Sequence, residues 1–307
     1  MGEGMDRREF IRSAATFGGM AMLGGCKCSP CGDAERVPYG DTIGDRLWMW
    51  GHHRDSLKSE LSRNTGYRDL PTGTRIDMAA ACKDMNIPGC FVVRWTNKPT
   101  KAELPEYMKQ FKDMKRVGFS ITDSAVETFE EKVRLGFEFA DKMPNLTSLV
   151  MDDFWTGAAK GVDVRKIARV REGTQARHMR LGVVLYADTN GVKSEYREVL
   201  DLCDEITFWF WHGKNVGTIE EQVGRLRDLL GADKPVLLGQ YMYDFGDKKA
   251  MPGADMERQL AATSRLLSQK AIDGVIFHCT PLVDASLDAV NVSRAWIREN
   301  GSKEWGA

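Results

Sequence analysis

The strongest constraint on the fold is an alternation that runs through most of the chain. From Arg46 onward, short apolar, β-branched or aromatic runs alternate with longer amphipathic stretches, a pattern typical of repeated βα units around a parallel sheet. Eight such runs are present: Leu47 to Gly51, Gly89 to Trp95, Gly118 to Thr122, Leu146 to Asp152, Leu181 to Tyr186, Glu205 to Trp211, Pro235 to Tyr241, and Gly274 to Cys279. Apolar residues three and four apart predict helices between them, among them Glu127 to Lys142, Val164 to Arg177, Thr218 to Leu230 and Asp255 to Gln269.

Eight strands with eight crossovers favour a single closed (β/α)8 barrel, the TIM-barrel class of α/β fold. An open doubly wound sheet, the alternative, would usually carry a glycine-rich phosphate loop after its first strand. In this chain Gly51, His52 and His53 occupy that place. We therefore predict a barrel domain over residues 43–307.

The first 26 residues predict export. Two arginines followed by Glu9, Phe10 and Ile11 resemble a twin-arginine signal, and a mildly apolar run comes next. Leu23-Gly24-Gly25-Cys26 resembles a bacterial lipobox, in which the cysteine thiol receives a diacylglyceryl group. Residues 27–42 lack hydrophobic periodicity and predict a flexible tether. The sequence thus predicts a protein at the periplasm or cell surface, attached to a bacterial membrane through Cys26.

The charge balance argues against one class of partner. The chain has 43 basic and 44 acidic residues, which leaves a net charge of -1. A protein without a basic field gains little from the release of counterions on nucleic acid. We therefore expect no nucleic acid partner.

Polar and aromatic residues collect where the predicted strands end. Catalytic groups of (β/α)8 barrels come from these carboxyl ends, which meet at one rim. Aromatic faces stack on the C–H faces of sugars while polar groups bind the hydroxyls, so this composition predicts a carbohydrate pocket. The residues that we predict to bind substrate are Trp50, His52, Arg94, Trp155, Tyr186, Trp211, Gln240, Tyr243, Asp244 and His278, and other rim candidates are His53, Trp95, Asp123, Asp188, Trp209, His212 and Tyr241.

Two adjacent acids, Asp152 and Asp153, end the fourth predicted strand in an apolar setting. Desolvation and like-charge repulsion should raise the pKa of at least one of them, which would suit an acid catalyst. This arrangement resembles barrel glycosidases that use substrate assistance, namely the O-GlcNAc hydrolases and, more loosely, the hexosaminidases and chitinases. The resemblance implies that Asp152 orients a 2-acetamido group, that Asp153 protonates the leaving oxygen, and that Tyr186, Tyr241 or Tyr243 holds the developing oxazoline.

Other interpretations of the pair remain open. Two aspartates after a strand also commonly cap the next helix or turn the chain. In an ordinary retaining or inverting glycosidase, one member of the pair would work with a second carboxylate, either Asp123 or Asp244.

The histidines at predicted strand ends raise a metal alternative. His52, His53, His212 and His278 could bind a metal together with Asp152 or Asp244. However, His52 and His53 are adjacent and would point to opposite sides of a strand. We therefore interpret these histidines as substrate-binding or structural residues, and predict no metal and no cofactor.

The favoured function is an exported glycoside hydrolase centred on Asp152 and Asp153. One alternative is a lipoprotein that binds carbohydrate without catalysis. Another is a metal-dependent sugar isomerase or hydrolase.

Overall fold

The protein is a closed barrel of eight parallel strands. The computed structural model describes residues 39–58, 74–156 and 159–307. The barrel strands are β1 (Leu47–Gly51), β2 (Gly89–Val92), β3 (Arg116–Ser120), β4 (Leu146–Met151), β5 (Arg180–Tyr186), β6 (Glu205–Trp209), β7 (Val236–Tyr241) and β10 (Gly274–His278). Each strand pairs with its neighbour along the chain, and β1 pairs with β10 to close the barrel. This topology confirms the predicted (β/α)8 fold.

An α-helix follows each barrel strand in the described part of the chain. These helices are α1 (Met78–Asp84), α2 (Leu104–Tyr107), α3 (Phe129–Ala140), α4 (Val164–Gln175), α5 (Arg197–Leu202), α6 (Ile219–Leu230), α7 (Gly253–Ser268) and α8 (Asp288–Asn300). Short 3-10 helices lie before β1 and in the connections that follow; they are Gly44–Arg46, Ser56–Lys58, Trp95–Asn97, Met108–Phe111, Phe154–Thr156, Ser194–Tyr196, Gly213–Thr218 and Thr280–Leu282. A small antiparallel hairpin of β8 (Tyr243–Asp244) and β9 (Lys249–Ala250) follows β7.

Side-chain caps set where two of the helices begin. The side chain of Thr128 accepts a hydrogen bond from the backbone N–H of Glu131, whose carboxylate accepts one from the backbone N–H of Thr128, so a capping box starts α3. Asp163 caps α4 by accepting a hydrogen bond from the backbone N–H of Lys166 at 2.9 Å. Both helices were predicted in these positions; α4 begins at the predicted residue, and the other three ends differ from the prediction by two residues.

Large aromatic rings fill the barrel interior where glycines make room for them. The rings of Trp48 on β1 and Phe91 on β2 stack with centroids 4.5 Å apart. A Cβ atom at Gly118 would collide with the ring of Phe91, and one at Gly239 would collide with the ring of Trp209. The barrel centre is therefore packed with side chains and is not a pore.

A buried ionic cluster closes the amino-terminal end of the barrel. Glu205 at the start of β6 accepts hydrogen bonds from the hydroxyl of Tyr39 and, at 2.6 Å, from that of Ser148. The guanidinium of Arg180 lies 4.4 Å from the centre of the Tyr39 ring, and that of Arg116 lies 4.9 Å from the Trp48 ring. The charges and hydroxyls of this cluster therefore bind one another and fill this end of the barrel.

The predicted signal, its Cys26 and residues 27–38 of the predicted tether lie outside the described residues. No helix in the described ranges is long and apolar enough to cross a membrane. Cys82, Cys90, Cys203 and Cys279 are buried without disulfide bonds.

Candidate functional site

A cavity of about 420 Å³ opens where the carboxyl ends of the barrel strands meet. It brings together seven of the residues predicted for the site: Asp152, Asp153, Trp50, His52, Tyr186, Trp211 and His278. Four further rim candidates also line it, namely Trp95, Asp123, Trp209 and Tyr241, and the remaining lining residues are Val93, Thr122, Ser124 and Phe245. The cavity is thus an aromatic well with a few polar groups.

The backbone turns sharply at the acidic pair. Asp153 follows the end of β4 with a φ of 49°, in the left-handed region that few non-glycine residues adopt. The hydroxyl of Thr122 donates a hydrogen bond to the backbone oxygen of Asp152 at 2.6 Å, and the hydroxyl of Thr156 donates one to that of Asp153 at 2.9 Å. These bonds hold both aspartates at the cavity wall. The pair does turn the chain, as one alternative predicted, but both side chains also line the cavity.

The hydroxyl of Tyr186, the last residue of β5, gives the two carboxyls different surroundings. It donates a hydrogen bond to Oδ1 of Asp153 at 2.8 Å, which favours the ionised carboxylate. Burial raises the pKa of Asp153, and this hydrogen bond offsets part of the rise. Burial, with the charges of Asp153 and Asp123, raises the pKa of Asp152 well above its usual range. Asp152 is therefore the carboxyl that more readily keeps a proton.

Aromatic side chains form much of the cavity wall. The ring of Trp209 lies between Trp50 and Tyr241, with centroid distances of 5.2 and 5.1 Å. Trp211 meets Tyr186 at 5.8 Å and Tyr241 at 5.7 Å, in both cases edge to face. These contacts fix the rings before a ligand arrives, so the wall is preorganised for stacking.

Two histidines from opposite ends of the chain meet in the cavity. Nε2 of His52, after β1, lies 3.3 Å from Nε2 of His278, at the end of β10. Thr280 binds the backbone of His52 twice: its hydroxyl accepts from the N–H at 2.9 Å and donates to the carbonyl at 2.7 Å. The pairing of β1 with β10 therefore places the two imidazoles face to edge against one another.

Asp123 lines the cavity but is bound by cations. Its carboxylate forms an ion pair with Nζ of Lys132 at 3.0 Å and accepts a hydrogen bond from the backbone N–H of Arg94 at 3.0 Å. The guanidinium of Arg94 lies 3.7 Å from Asp123 and 2.8 Å from the carboxylate of Glu127. Arg94 was predicted to bind substrate, but it is fully buried behind the cavity wall and supports Asp123 instead.

Four other predicted residues lie outside the cavity lining. The amide of Gln240 points to the helix layer and donates to the hydroxyl of Thr263 on α7. Tyr243 and Asp244 belong to the small hairpin, where both are buried. Trp155 lies in the 3-10 helix after β4, with its ring 4.0 Å from that of Tyr196. Local turns and the two-residue strand period carry these side chains away from the cavity.

The structure brings together only two of the four histidines of the metal alternative, His52 and His278. The ring of His212 binds the carboxylate of Asp247 at 2.8 Å, and His53 packs against the ring of Tyr107. His53, His212 and Asp244 do not line the cavity, so the metal set that was considered from the sequence does not assemble. Within the described ranges, a different group has the proximity that a metal ion needs: His52, His278 and Cys279.

No family model matches the chain, and no curated protein matches it. Solved structures with a similar fold include a mutant tryptophan synthase alpha-subunit from Pyrococcus furiosus, at 12% identity and a TM-score of 0.49, covering 85% of this chain and 98% of that one. They also include a chitinase from Chromobacterium violaceum, at 9% identity and a TM-score of 0.48, covering 85% of this chain and 99% of that one. Both are barrel enzymes, and these distant likenesses carry no argument about the reaction.

Proposed function

We propose that this protein is a glycoside hydrolase whose reaction is carried out by Asp152 and Asp153. The observation that carries the proposal is that both acids line one cavity with a preorganised aromatic wall. A sugar ring could stack on this wall while its glycosidic oxygen meets the acidic pair.

We assign the general acid to Asp152 and the ionised partner to Asp153. This order is the reverse of the one implied by the resemblance to O-GlcNAc hydrolases. It is supported by the hydrogen bond that the hydroxyl of Tyr186 donates to Asp153, because that bond stabilises a carboxylate. In this scheme Asp152 protonates the leaving oxygen and Asp153 stabilises positive charge on the sugar side of the breaking bond.

The surroundings of the pair favour substrate assistance by a 2-acetamido group. A mechanism with two separated carboxylates needs a second free acid, and Asp123 and Asp244 were the candidates. Asp123 is engaged by Lys132, and Asp244 lies outside the cavity lining. Nucleophilic attack by the acetamido oxygen of the substrate would need no such acid, and Asp153 would then polarise this group.

The test is a screen of chromogenic glycosides, including 2-acetamido sugars, with the full chain and its Asp152→Asn variant. We expect turnover that falls about 10²- to 10⁴-fold in the variant, as for the loss of a general acid, while calorimetry shows retained sugar binding. Asp113→Asn, an exposed substitution, is the matched control. Sugar binding without turnover by the unaltered chain would instead identify a non-catalytic binding protein.

We propose separately that the protein is exported and attached to a membrane through Cys26. The support is the twin-arginine pattern followed by the lipobox-like sequence. Metabolic labelling with a fatty acid in a bacterial host should mark the unaltered chain and leave Cys26→Ser unlabelled. Equal labelling of both chains would contradict the proposal.

A further inference from the structure

We infer that His52, His278 and Cys279 form a binding site for a divalent transition metal ion, with Zn²⁺ as the best match. This inference goes beyond the proposed hydrolysis, which uses no metal. One ligand atom from each of the three residues lies within 4.8 Å of the others, and all three residues are buried. Two imidazoles and one thiol are a donor set that suits Zn²⁺.

The spacing of the two imidazoles fits a tetrahedral ion. A zinc ion with Zn–N bonds of about 2.0–2.1 Å holds two ligand nitrogens about 3.3 Å apart. The Nε2 atoms of His52 and His278 are 3.3 Å apart. The pair is therefore already at the separation that two zinc ligands require.

Backbone contacts orient His52 as a ligand. Its Nδ1 faces the backbone oxygen of Val93 at 3.3 Å, and because a carbonyl only accepts hydrogen bonds, Nδ1 must carry the proton. The lone pair then lies on Nε2, which points at His278. Metal-bound histidines usually donate their other N–H to such an oxygen, which fixes the ring.

A hydrogen bond between the histidines is the competing explanation. In that case Nε2–H of His278 would donate to Nε2 of His52, and Nδ1 of His278 would carry a lone pair. Nδ1 of His278 is buried without a hydrogen-bond partner among the described residues under either explanation, so it does not separate them. A hydrogen-bonded pair gives no role to Cys279, whereas a metal ion engages all three residues.

The site would have one open coordination position. His52 and His278 line the cavity, and Cys279 lies behind them. Three protein ligands would hold the ion at the cavity wall, and a water molecule or a substrate hydroxyl would complete the tetrahedron, as in zinc sites that keep an open position. On binding, the S–H bond of Cys279 breaks, a sulfur–zinc bond forms, and the proton leaves to solvent.

The experiment measures metal retention in the full chain, without substrate. After incubation with zinc sulfate and dialysis, elemental analysis should find about one zinc ion per chain, and fewer in His278→Ala. The cobalt(II)-loaded chain should show a thiolate-to-cobalt charge-transfer absorption that Cys279→Ser loses. His53→Ala, a neighbouring histidine outside the cluster, should keep both signals.

Failure to retain zinc in the unaltered chain, or a charge-transfer band that persists in a folded Cys279→Ser variant, would overturn the inference. If circular dichroism shows that Cys279→Ser is unfolded, the chain with Cys28→Ser and Cys31→Ser decides, because it lacks the C-x-x-C thiol pair of the predicted tether, which could bind cobalt outside the cluster. A cobalt band in that chain supports the site, and its loss overturns it. Neither result depends on hydrolysis, so the proposed function can fail or succeed independently.

Discussion

Tyr186 and Asp153 are joined across 2.8 Å by a hydrogen bond from the phenolic hydroxyl to Oδ1. The donor ends β5, and the acceptor lies just beyond the end of β4 in a left-handed conformation. A hydroxyl at the end of β5 therefore favours the ionised form of an acid that follows the neighbouring strand, β4.

Replacing Tyr186 by phenylalanine should move the acidic limb of the pH–rate profile to higher pH. The hydroxyl lowers the pKa of Asp153, so its removal raises that pKa, and a higher pH is then needed to ionise the residue. The measurement is kcat/KM against pH for the unaltered chain and for Tyr186→Phe. Tyr196→Phe, which removes a hydroxyl outside the cavity, should leave the limb in place. An unmoved limb in Tyr186→Phe would remove Asp153 from its assigned role.

Asp152→Asn should stabilise the protein at neutral pH more than at acidic pH. The pKa of Asp152 is raised on folding, so the native state binds more protons than the unfolded state above about pH 3.9 and the free energy of unfolding falls as pH rises. Asparagine removes this loss. Urea unfolding of the unaltered protein and of Asp152→Asn across the pH range gives the difference in their free energies of unfolding. Contributions common to both proteins, such as that of His52, cancel in this difference. A difference that does not grow with pH would contradict the raised pKa.

Trp211→Ala should weaken sugar binding about tenfold, or about 1.4 kcal/mol, through the loss of a stacking surface. The ring is half-buried and lines the cavity between Tyr186 and Tyr241. Trp155→Ala is the matched control, because Trp155 is also half-buried but lies outside the lining. Calorimetric titration with a bound sugar compares the two. Equal weakening would indicate a general effect on packing.

Arg94→Met should lower the free energy of unfolding by about 3–5 kcal/mol, because it leaves the nearly buried carboxylate of Glu127 without its cation. Arg94 is fully buried and lies 2.8 Å from the carboxylate of Glu127. Arg134→Met breaks an exposed ion pair with Glu138 and should cost less than about 1 kcal/mol. Urea denaturation measures both. A small loss in Arg94→Met would show that Glu127 finds another partner or takes up a proton.

The sequence pattern predicted the barrel because each strand leaves its own local signal and that signal repeats eight times. Each strand is buried on both faces, so it appears in sequence as a continuous apolar run. The site needed finer information than the positions of strand ends. On β7, Gln240 was chosen for the site, yet Tyr241 lines the cavity and Gln240 reaches Thr263. Side chains alternate along a strand, so only one of these two neighbours can face the barrel interior. Gly239 faces the interior, where it makes room for Trp209, and Tyr241, two residues later, lies on the same face.

Contacts between distant segments were beyond the sequence pattern. The sequence around Arg94 does not indicate that it pairs with Glu127. The charge of a residue at a strand end does not reveal whether its side chain faces the cavity or lies behind the cavity wall. The meeting of His52 and His278 follows from barrel closure, which makes the first and last strands neighbours, but their 3.3 Å separation depends on the loops. Thr122, Ser124 and Phe245 line the cavity without any sequence signal that singles them out.

The pairing of β1 with β10 also has a consequence for synthesis. His52 and His278 are 226 positions apart, so a ribosome completes the first long before it makes the second. Until β10 emerges, β1 and β7 keep unpaired edges that invite association with other chains. The cavity therefore comes into existence only with the last strand, and a nascent chain that stops before it has an aggregation-prone sheet in place of a binding site.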